Sequence, residues 1–340
     1  MQHAAITAIE YYLPPQTLSN ADLVREFPDW TEDKIVSKTG IENRCLAGAE
    51  QYASDLAVTA AERLFARNVC ARQDVDFILL CTQSPDYLLP TTACLVQSRL
   101  GLPTGIGALD INLGCSGYVY GLSLAKGLIE TGQAQNVLLI TAETYSKHMD
   151  PADFSVRAIF GDGAAATLVQ AQAAAPEGGP WLGPFVFGTD GRGESRLISW
   201  RGGMRPPPAP SPGEDRPARP DPTALSMNGP ELFTFTLRVV PECVSALLGR
   251  AGLTLPAVDQ FVFHQANQFM LEHLRKKLGV PAERFAYALR DCGNTVSATI
   301  PIALHRMAAE GRLPAHARVM LVGFGVGYSW GATLLRWRSA

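Results

Sequence analysis

Short unbroken apolar runs alternate along the chain with longer stretches whose apolar residues recur at helical spacing. The runs at 75–83 (VDFILLCTQ), 107–114 (GALDINLG) and 136–144 (NVLLITAET) read as strands, and helix-like segments separate them. None of the three alternates polar with apolar, the pattern expected of sheets covered on both faces. Beyond residue 225 the alternation resumes with a helix (ELFTFTLRVVPECVSALLGRAG), a strand (DQFVFHQAN), a helix (FMLEHLRKKLG) and a last β-rich run (ARVMLVGFGVGYSW) leading into GATLLRW. This pattern predicts an α/β fold with buried sheets. Two halves of similar length, 1–172 and 173–340, each end in β-rich sequence and suggest a duplicated architecture. The stretch at about 203–222 (GMRPPPAPSPGEDRPARPDP) is too rich in proline and charge to build a core, and reads as an exposed loop.

Composition narrows the class. The chain has 340 residues, 47% of them hydrophobic, and a net charge of −3, enough to bury one large core or two fused ones. No basic tract favours nucleic acid. The N-terminus MQHAAITAIEYYLPP lacks the charged and apolar regions of a secretion signal, and no uninterrupted apolar run approaches the roughly 18 residues of a membrane span. A soluble, cytoplasmic protein is expected. The seven cysteines are scattered and never form a C-x-x-C pair, which fits reduced thiols and offers no structural zinc site.

Four places carry candidate chemistry. Cys115 stands in GCSG, between a strand-like run and a helix-like one, with Gly114 and Gly117 beside it. A thiol at the first turn of a helix meets free N–H groups and the positive end of the helix dipole, and both lower its pKa. The same turn suits a small buried thiol with no chemistry at all. His264 ends an apolar strand and is followed by Gln265 and Asn267, at the strand end where α/β folds assemble their sites. A core imidazole satisfied by backbone is the plainer alternative. Asn294 follows a glycine turn and precedes a helix entered through Ser297, so it also fits a simple turn or capping role. GFGVGYSWGA (323–332), containing Gly325, Val326 and Gly327, can bring backbone N–H groups against a substrate oxygen or can be a plain hairpin. It is not a dinucleotide fingerprint, and no phosphate-binding loop occurs.

Together these segments resemble the thiolase superfamily, and specifically the β-ketoacyl-acyl carrier protein synthase III family. KTGIENR (38–44), LPTTACLVQSRLG (89–101), GCSGYVYGL, IFGDGAAATLV (159–169), HQAN, GNTVSATIP and GFGVGYSWGA occur in the family's order. The resemblance implies a thiolase-like fold, two α/β halves in five layers αβαβα, with the nucleophile in the first half and His and Asn in the second. It implies Cys115, His264 and Asn294 as the catalytic set, with the backbone N–H groups of Cys115 and Val326 as the oxyanion hole. The implied reaction is acylation of Cys115 by an acyl thioester, followed by decarboxylative Claisen condensation with malonyl-acyl carrier protein. Coenzyme A or phosphopantetheine thioesters serve as substrates, with no metal or other cofactor. A homodimer is implied, with Leu89 reaching the acyl pocket of the partner subunit, and Phe233, Gly325 and Gly327 as further pocket candidates.

The chain departs from the family at several positions. Lys34 and Phe154 replace the Trp and Arg that sandwich an adenine in many members, Phe269 replaces an Arg used in carrier-protein docking, and Val326 stands where Gly is commoner. Arg275, Lys276 and Lys277 follow Phe269 on what reads as a solvated helix face. These differences point to a nonstandard starter carried on a carrier protein, in a specialised acyl pathway. The alternatives are an acyltransferase of the same fold that makes an ester or amide, and a noncatalytic thiolase-like scaffold. A papain-like hydrolase also uses Cys, His and Asn, but its local sequence around the cysteine is missing.

Overall fold

The computed structural model describes residues 2–173, 181–206, 221 and 223–338. Its main elements are β1 (His3–Tyr12), α1 (Ala53–Ala66), β2 (Phe77–Cys81), α2 (Thr92–Arg99), β3 (Gly107–Ile111), α3 (Gly117–Glu130), β4 (Asn136–Glu143), β5 (Gly163–Gln172), β6 (Leu182–Thr189), α4 (Gly229–Ala251), β7 (Gln260–Phe263), α5 (Gln268–Leu278), α6 (Thr299–Ala309), β8 (Arg318–Gly325) and β9 (Ser329–Arg336). Most of the proline-rich stretch expected to form an exposed loop lies outside the described residues.

Two sheets repeat one plan. The first has the order β1-β5-β4-β2-β3, and the second β6-β9-β8-β7. In the first, β1, β5 and β4 pair antiparallel, then β4, β2 and β3 pair parallel. In the second, β6, β9 and β8 pair antiparallel and β8 pairs parallel with β7. Where the second sheet would place a fifth strand, a single parallel bridge joins Phe261 to Phe285.

Helices α3 and α6 lie between the sheets, each touching strands of both. The apolar residues of α3 (Tyr118, Val119, Leu122, Ala125, Ile129) pack in one cluster with Ile300 and Leu304 of α6 and Val319 and Leu321 of β8. Helices α1 and α2 cover the outer face of the first sheet; α4, with α5 against it, covers that of the second. The result is five layers, αβαβα. Burial on both faces explains the unbroken apolar runs of β2 and β4.

Among the described residues, α4 alone has the length and apolarity of a membrane span. Its apolar side is nonetheless committed to the core. Leu232, Phe235, Val239, Val240, Val244 and Leu247 are buried while Arg238 and Glu242 break the sequence between them. Asn228 caps its start and Gly252, in the left-handed conformation, ends it.

Candidate active site

Cys115 lies in the turn between β3 and α3 and is buried. The cap position of α3 belongs to Ser116, but its hydroxyl makes no cap and instead pairs with Ser329 Oγ of β9 at 2.8 Å. The turn is thus tied to the hairpin β8–β9 of the other half. A Cβ on Gly325 would stand 2.8 Å from Cys115 Cβ and Sγ, and one on Gly323 2.7 Å from the Cys115 carbonyl oxygen. Only glycine permits that approach. It brings the Val326 N–H, together with the N–H of Cys115 itself, to Sγ. The glycine-rich segment is therefore both things the sequence allowed, a hairpin and a source of backbone donors.

The expectation of a lowered thiol pKa is reversed. Complete burial, reinforced by the nearby Glu143 carboxyl, pushes the Cys115 thiol up to about 12, although the two N–H groups pull it down. Desolvation by burial outweighs the helix start and the two backbone donors. Cys115 therefore rests as a thiol, so any attack by Sγ requires loss of its proton.

His264 follows β7 directly, its N–H donating to the Val322 carbonyl of β8 at 2.8 Å. Its Nδ1 lies 2.8 Å from Thr299 Oγ1, which leaves Nε2 for the cavity. Burial pushes its pKa down to about 3, so the ring is neutral at physiological pH. Gln265 instead serves structure, donating to the Phe263 carbonyl and accepting from the Ala288 N–H at 2.8 Å. Asn267 caps α5 by accepting from the Met270 N–H.

Asn294 is held by backbone and side chain. Its N–H donates to Ile159 and its carbonyl accepts from Gly161, which ties it to the IFGDG segment of the first half. Its Oδ1 accepts the Val296 N–H at 2.9 Å, leaving Nδ2 for the cavity. Val296 has φ +54°, a left-handed conformation that a β-branched residue rarely takes. A 3-10 turn, Val296–Ala298, therefore precedes α6, which begins at Thr299 and not at Ser297.

These three side chains line one cavity of about 80 Å³, with Phe160, Leu232 and Phe324 among its apolar walls. Other expected positions lie elsewhere. Phe233 instead meets Phe269 at a tilt and His273 edge-on, while its neighbours Leu232 and Thr236 face the cavity. Gly327 is followed by a cis peptide to Tyr328, and Gly325 is the glycine that lines the wall. Leu89 is 82% exposed, beside Tyr87 and Leu88, which are also exposed. Arg275 and Lys276 approach Glu272, and Lys277 donates to the Leu237 carbonyl.

Two features escaped the sequence. Glu143, at the end of β4, is fully buried and, among the described residues, has no cationic partner. It accepts from Ser297 Oγ at 2.6 Å, the Gln83 N–H at 3.0 Å and Ser84 Oγ at 3.3 Å. Burial pushes its carboxyl up to about 8. Trp30 stacks on Phe154 with ring centroids 4.1 Å apart and planes within 19°, and Lys38 lies over the same indole.

The geometry can be set beside known proteins. Residues 109–191 match the family model 3-oxoacyl-[acyl-carrier-protein] synthase III, and 248–337 match the model of its C-terminal part. A β-ketoacyl-[acyl-carrier-protein] synthase III of Streptomyces coelicolor is 38% identical over 98% of this chain and 97% of its own. A crystal structure of a 3-oxoacyl-(acyl-carrier-protein) synthase III superposes with a TM-score of 0.93 at 50% identity, covering 98% of this chain and all of that one. The 3-oxoacyl-(acyl-carrier protein) synthase of Burkholderia xenovorans LB400 gives 0.92 at 37%, over 99% and 95% of the two chains. The two matched segments hold Cys115, His264, Asn294 and Val326, and at such identity over nearly the full length the chain belongs to the 3-oxoacyl-[acyl-carrier-protein] synthase III family.

Proposed function

We propose that the protein joins an acyl group to a malonyl unit on an acyl carrier protein, through an acyl-cysteine at Cys115. The observation that carries this reading is the division of labour in the cavity. Two backbone N–H groups point at Sγ, and two side chains, His264 and Asn294, each have one polar atom tied back and one left over. The first pair suits the oxyanion formed when Sγ attacks a thioester carbonyl. The thiol of the donor leaves, taking up the proton that Sγ gives up.

Malonyl thioester then loses carbon dioxide, and its electron pair passes into the thioester as an enolate. Donors from His264 Nε2 and Asn294 Nδ2 hold the enolate oxygen. The carbanion attacks the acyl-cysteine carbonyl, a carbon–carbon bond forms, the carbon–sulfur bond breaks, and the departing Cys115 sulfur takes up one proton from solvent to restore the thiol. The thioester supplies the activation and decarboxylation the driving force, so this route needs no metal or redox cofactor.

The donor in this reading is an acyl group on a carrier protein. Trp30 and Phe154 lie at van der Waals stacking distance, with no space for a nucleotide base between them, so a coenzyme A donor loses the aromatic clamp used elsewhere in the family. Tyr87, Leu88 and Leu89 form an exposed apolar run whose burial in a homodimer would bring Leu89 towards the partner's acyl pocket. The cytoplasm, where thiols stay reduced, suits its free cysteines.

Intact-mass analysis after exposure to acyl-carrier and acyl-coenzyme A donors, with a malonyl-carrier chase, tests the reading. An adduct on wild type, absent from Cys115→Ala and discharged by malonyl into a β-ketoacyl product, is expected. An adduct indifferent to malonyl would leave simple acyl transfer instead, and efficient acylation from acetyl-coenzyme A alone would remove the carrier-bound donor.

A further inference from the structure

An acyl group on Cys115 must lie beside the turn that presents the thiol, and a polar side chain is pressed against that turn. A Cβ on Gly114, the residue before Cys115, would stand 2.4 Å from Gln83 Oε1 and 3.1 Å from its Cδ. Gln83 lies just past the end of β2 and is half-buried. No step of the proposed reaction uses its amide.

The rest of the residue is tied down. Its N–H donates to Glu143 Oε2 at 3.0 Å, its carbonyl faces the His148 imidazole, and Oε1 accepts the Tyr145 hydroxyl proton at 2.7 Å. Tyr145 is buried and packs on Phe160, a wall of the cavity that holds Cys115, with ring centroids 5.1 Å apart. Among the described residues the Tyr145 hydroxyl has no other acceptor, so it claims Oε1 and turns the amide nitrogen away. Among the same residues Nε2 has no hydrogen-bond partner, and it is not sealed from solvent. Two N–H groups in one fixed orientation are therefore left over beside the nucleophile.

An acyl chain of carbon and hydrogen alone would cover those N–H groups and leave them without an acceptor. An oxygen in the chain removes that cost. A site built to hydrogen-bond a group discriminates against the analogue that lacks it. We propose that Gln83 is a specificity-determining residue of the acyl site: its Nε2 donates to an oxygen on the starter, so the preferred starter is a short hydroxyacyl or oxoacyl group. Tyr145 is the positioning residue that fixes the amide. Because the amide lies against the residue next to Cys115, that oxygen stands only a few carbons from the thioester.

The proposal rests on the acyl-cysteine proposed above, and two pairs of carrier-bound donors matched in shape test it. They are 3-hydroxybutyryl against 3-methylbutyryl, and 4-oxopentanoyl against 4-methylpentanoyl, with Cys115 acylation followed by intact mass. In wild type the oxygenated member of at least one pair should acylate ~10-fold faster, the scale of one hydrogen bond. Gln83→Met keeps the length of the side chain without its amide and should bring the ratio within that pair close to one. Tyr145→Phe releases the amide and should shrink the ratio. A Gln83 that only packs the turn would slow both members alike and leave the ratio unchanged. Parity within both pairs in wild type overturns the proposal, as does a ratio that survives Gln83→Met. Should Gln83→Met fail to fold, a ratio unchanged in Tyr145→Phe overturns it instead. Adducts from the hydrocarbon donors alone overturn the proposal and leave the acyl-cysteine standing, whereas no adduct from any donor overturns both. An oxygenated adduct that malonyl-carrier protein does not discharge supports the proposal and counts against condensation alone.

Discussion

Cys115 and the pair His264 and Asn294 line one cavity but are fixed by different physics. Cys115 is placed by shape: its turn is pressed against Gly323 and Gly325 of the opposite hairpin at distances no side chain tolerates. His264 and Asn294 are placed by hydrogen bonds, through Thr299 Oγ1 and the Val296 N–H of a strained loop. The first arrangement is vulnerable to added volume and the second to a lost polar atom. Substitutions on the two sides should therefore fail in distinguishable ways.

The largest effect is expected from added volume. Gly325→Val drives a side chain into Cys115 Sγ and moves the Val326 N–H, so acylation should fall on the order of 10³-fold, from lost alignment and a lost donor together. Trapping of the acyl-enzyme by mass measures it. Acylation at near wild-type rate would mean that shape does not fix the nucleophile. On the other side, Asn294→Ala should leave acylation nearly intact and cut malonyl decarboxylation ~100-fold. Carbon dioxide release in a stopped assay reads the second step alone, and a parallel loss of acylation would erase the contrast.

The same division explains what the sequence disclosed. A strand, a Gly-Cys-Ser-Gly turn and a helix are local features, and Cys115 was legible from its neighbours together with the resemblance they carry. The types of His264 and Asn294 were legible as well, at a strand end and after a glycine. Their partners were not. Thr299 meets His264 across 35 residues of chain, and Trp30 meets Phe154 from far upstream. Val296 takes a conformation against its own propensity, which only the surrounding structure can impose. Phe233 misses the cavity by one position: a helix turns about 100° per residue, so Leu232 and Thr236 share the inner face and Phe233 does not. Glu143 looked like the end of an apolar strand, and its burial depends on layers packed from both halves.

A smaller effect should appear in the pH dependence of Cys115. With its thiol pushed up to about 12, the thiolate fraction still grows at alkaline pH, and alkylation by iodoacetamide should rise roughly tenfold per pH unit between neutral pH and 9. A plateau below pH 9 would show that the helix start and the two N–H groups outweigh burial. That outcome would restore the low-pKa thiol expected from the turn alone.

The smallest effect concerns the joint between the two regions. Glu143 belongs to the first half, yet its carboxyl accepts from Ser297 in the loop that carries Asn294 and Thr299. Its folded pKa of about 8 lies above its unfolded value of 4.5, so the folded state holds the proton more tightly. Its contribution to stability is then fully present below the unfolded pKa and fades as pH rises through about 8. Buried histidines with lowered pKa values act in the opposite sense at the acid end, so the informative quantity is the difference between wild type and Glu143→Gln. The amide keeps the size of the carboxyl and cannot ionise. Melting temperatures of the two proteins should diverge steadily from pH 5 to pH 8, with wild type losing on the order of 1–3 kcal/mol, a few degrees, relative to the variant. Parallel curves would mean that the joint stays ionised throughout, and that the bonds from Ser297, Ser84 and the Gln83 N–H suffice to hold a charge between the two halves.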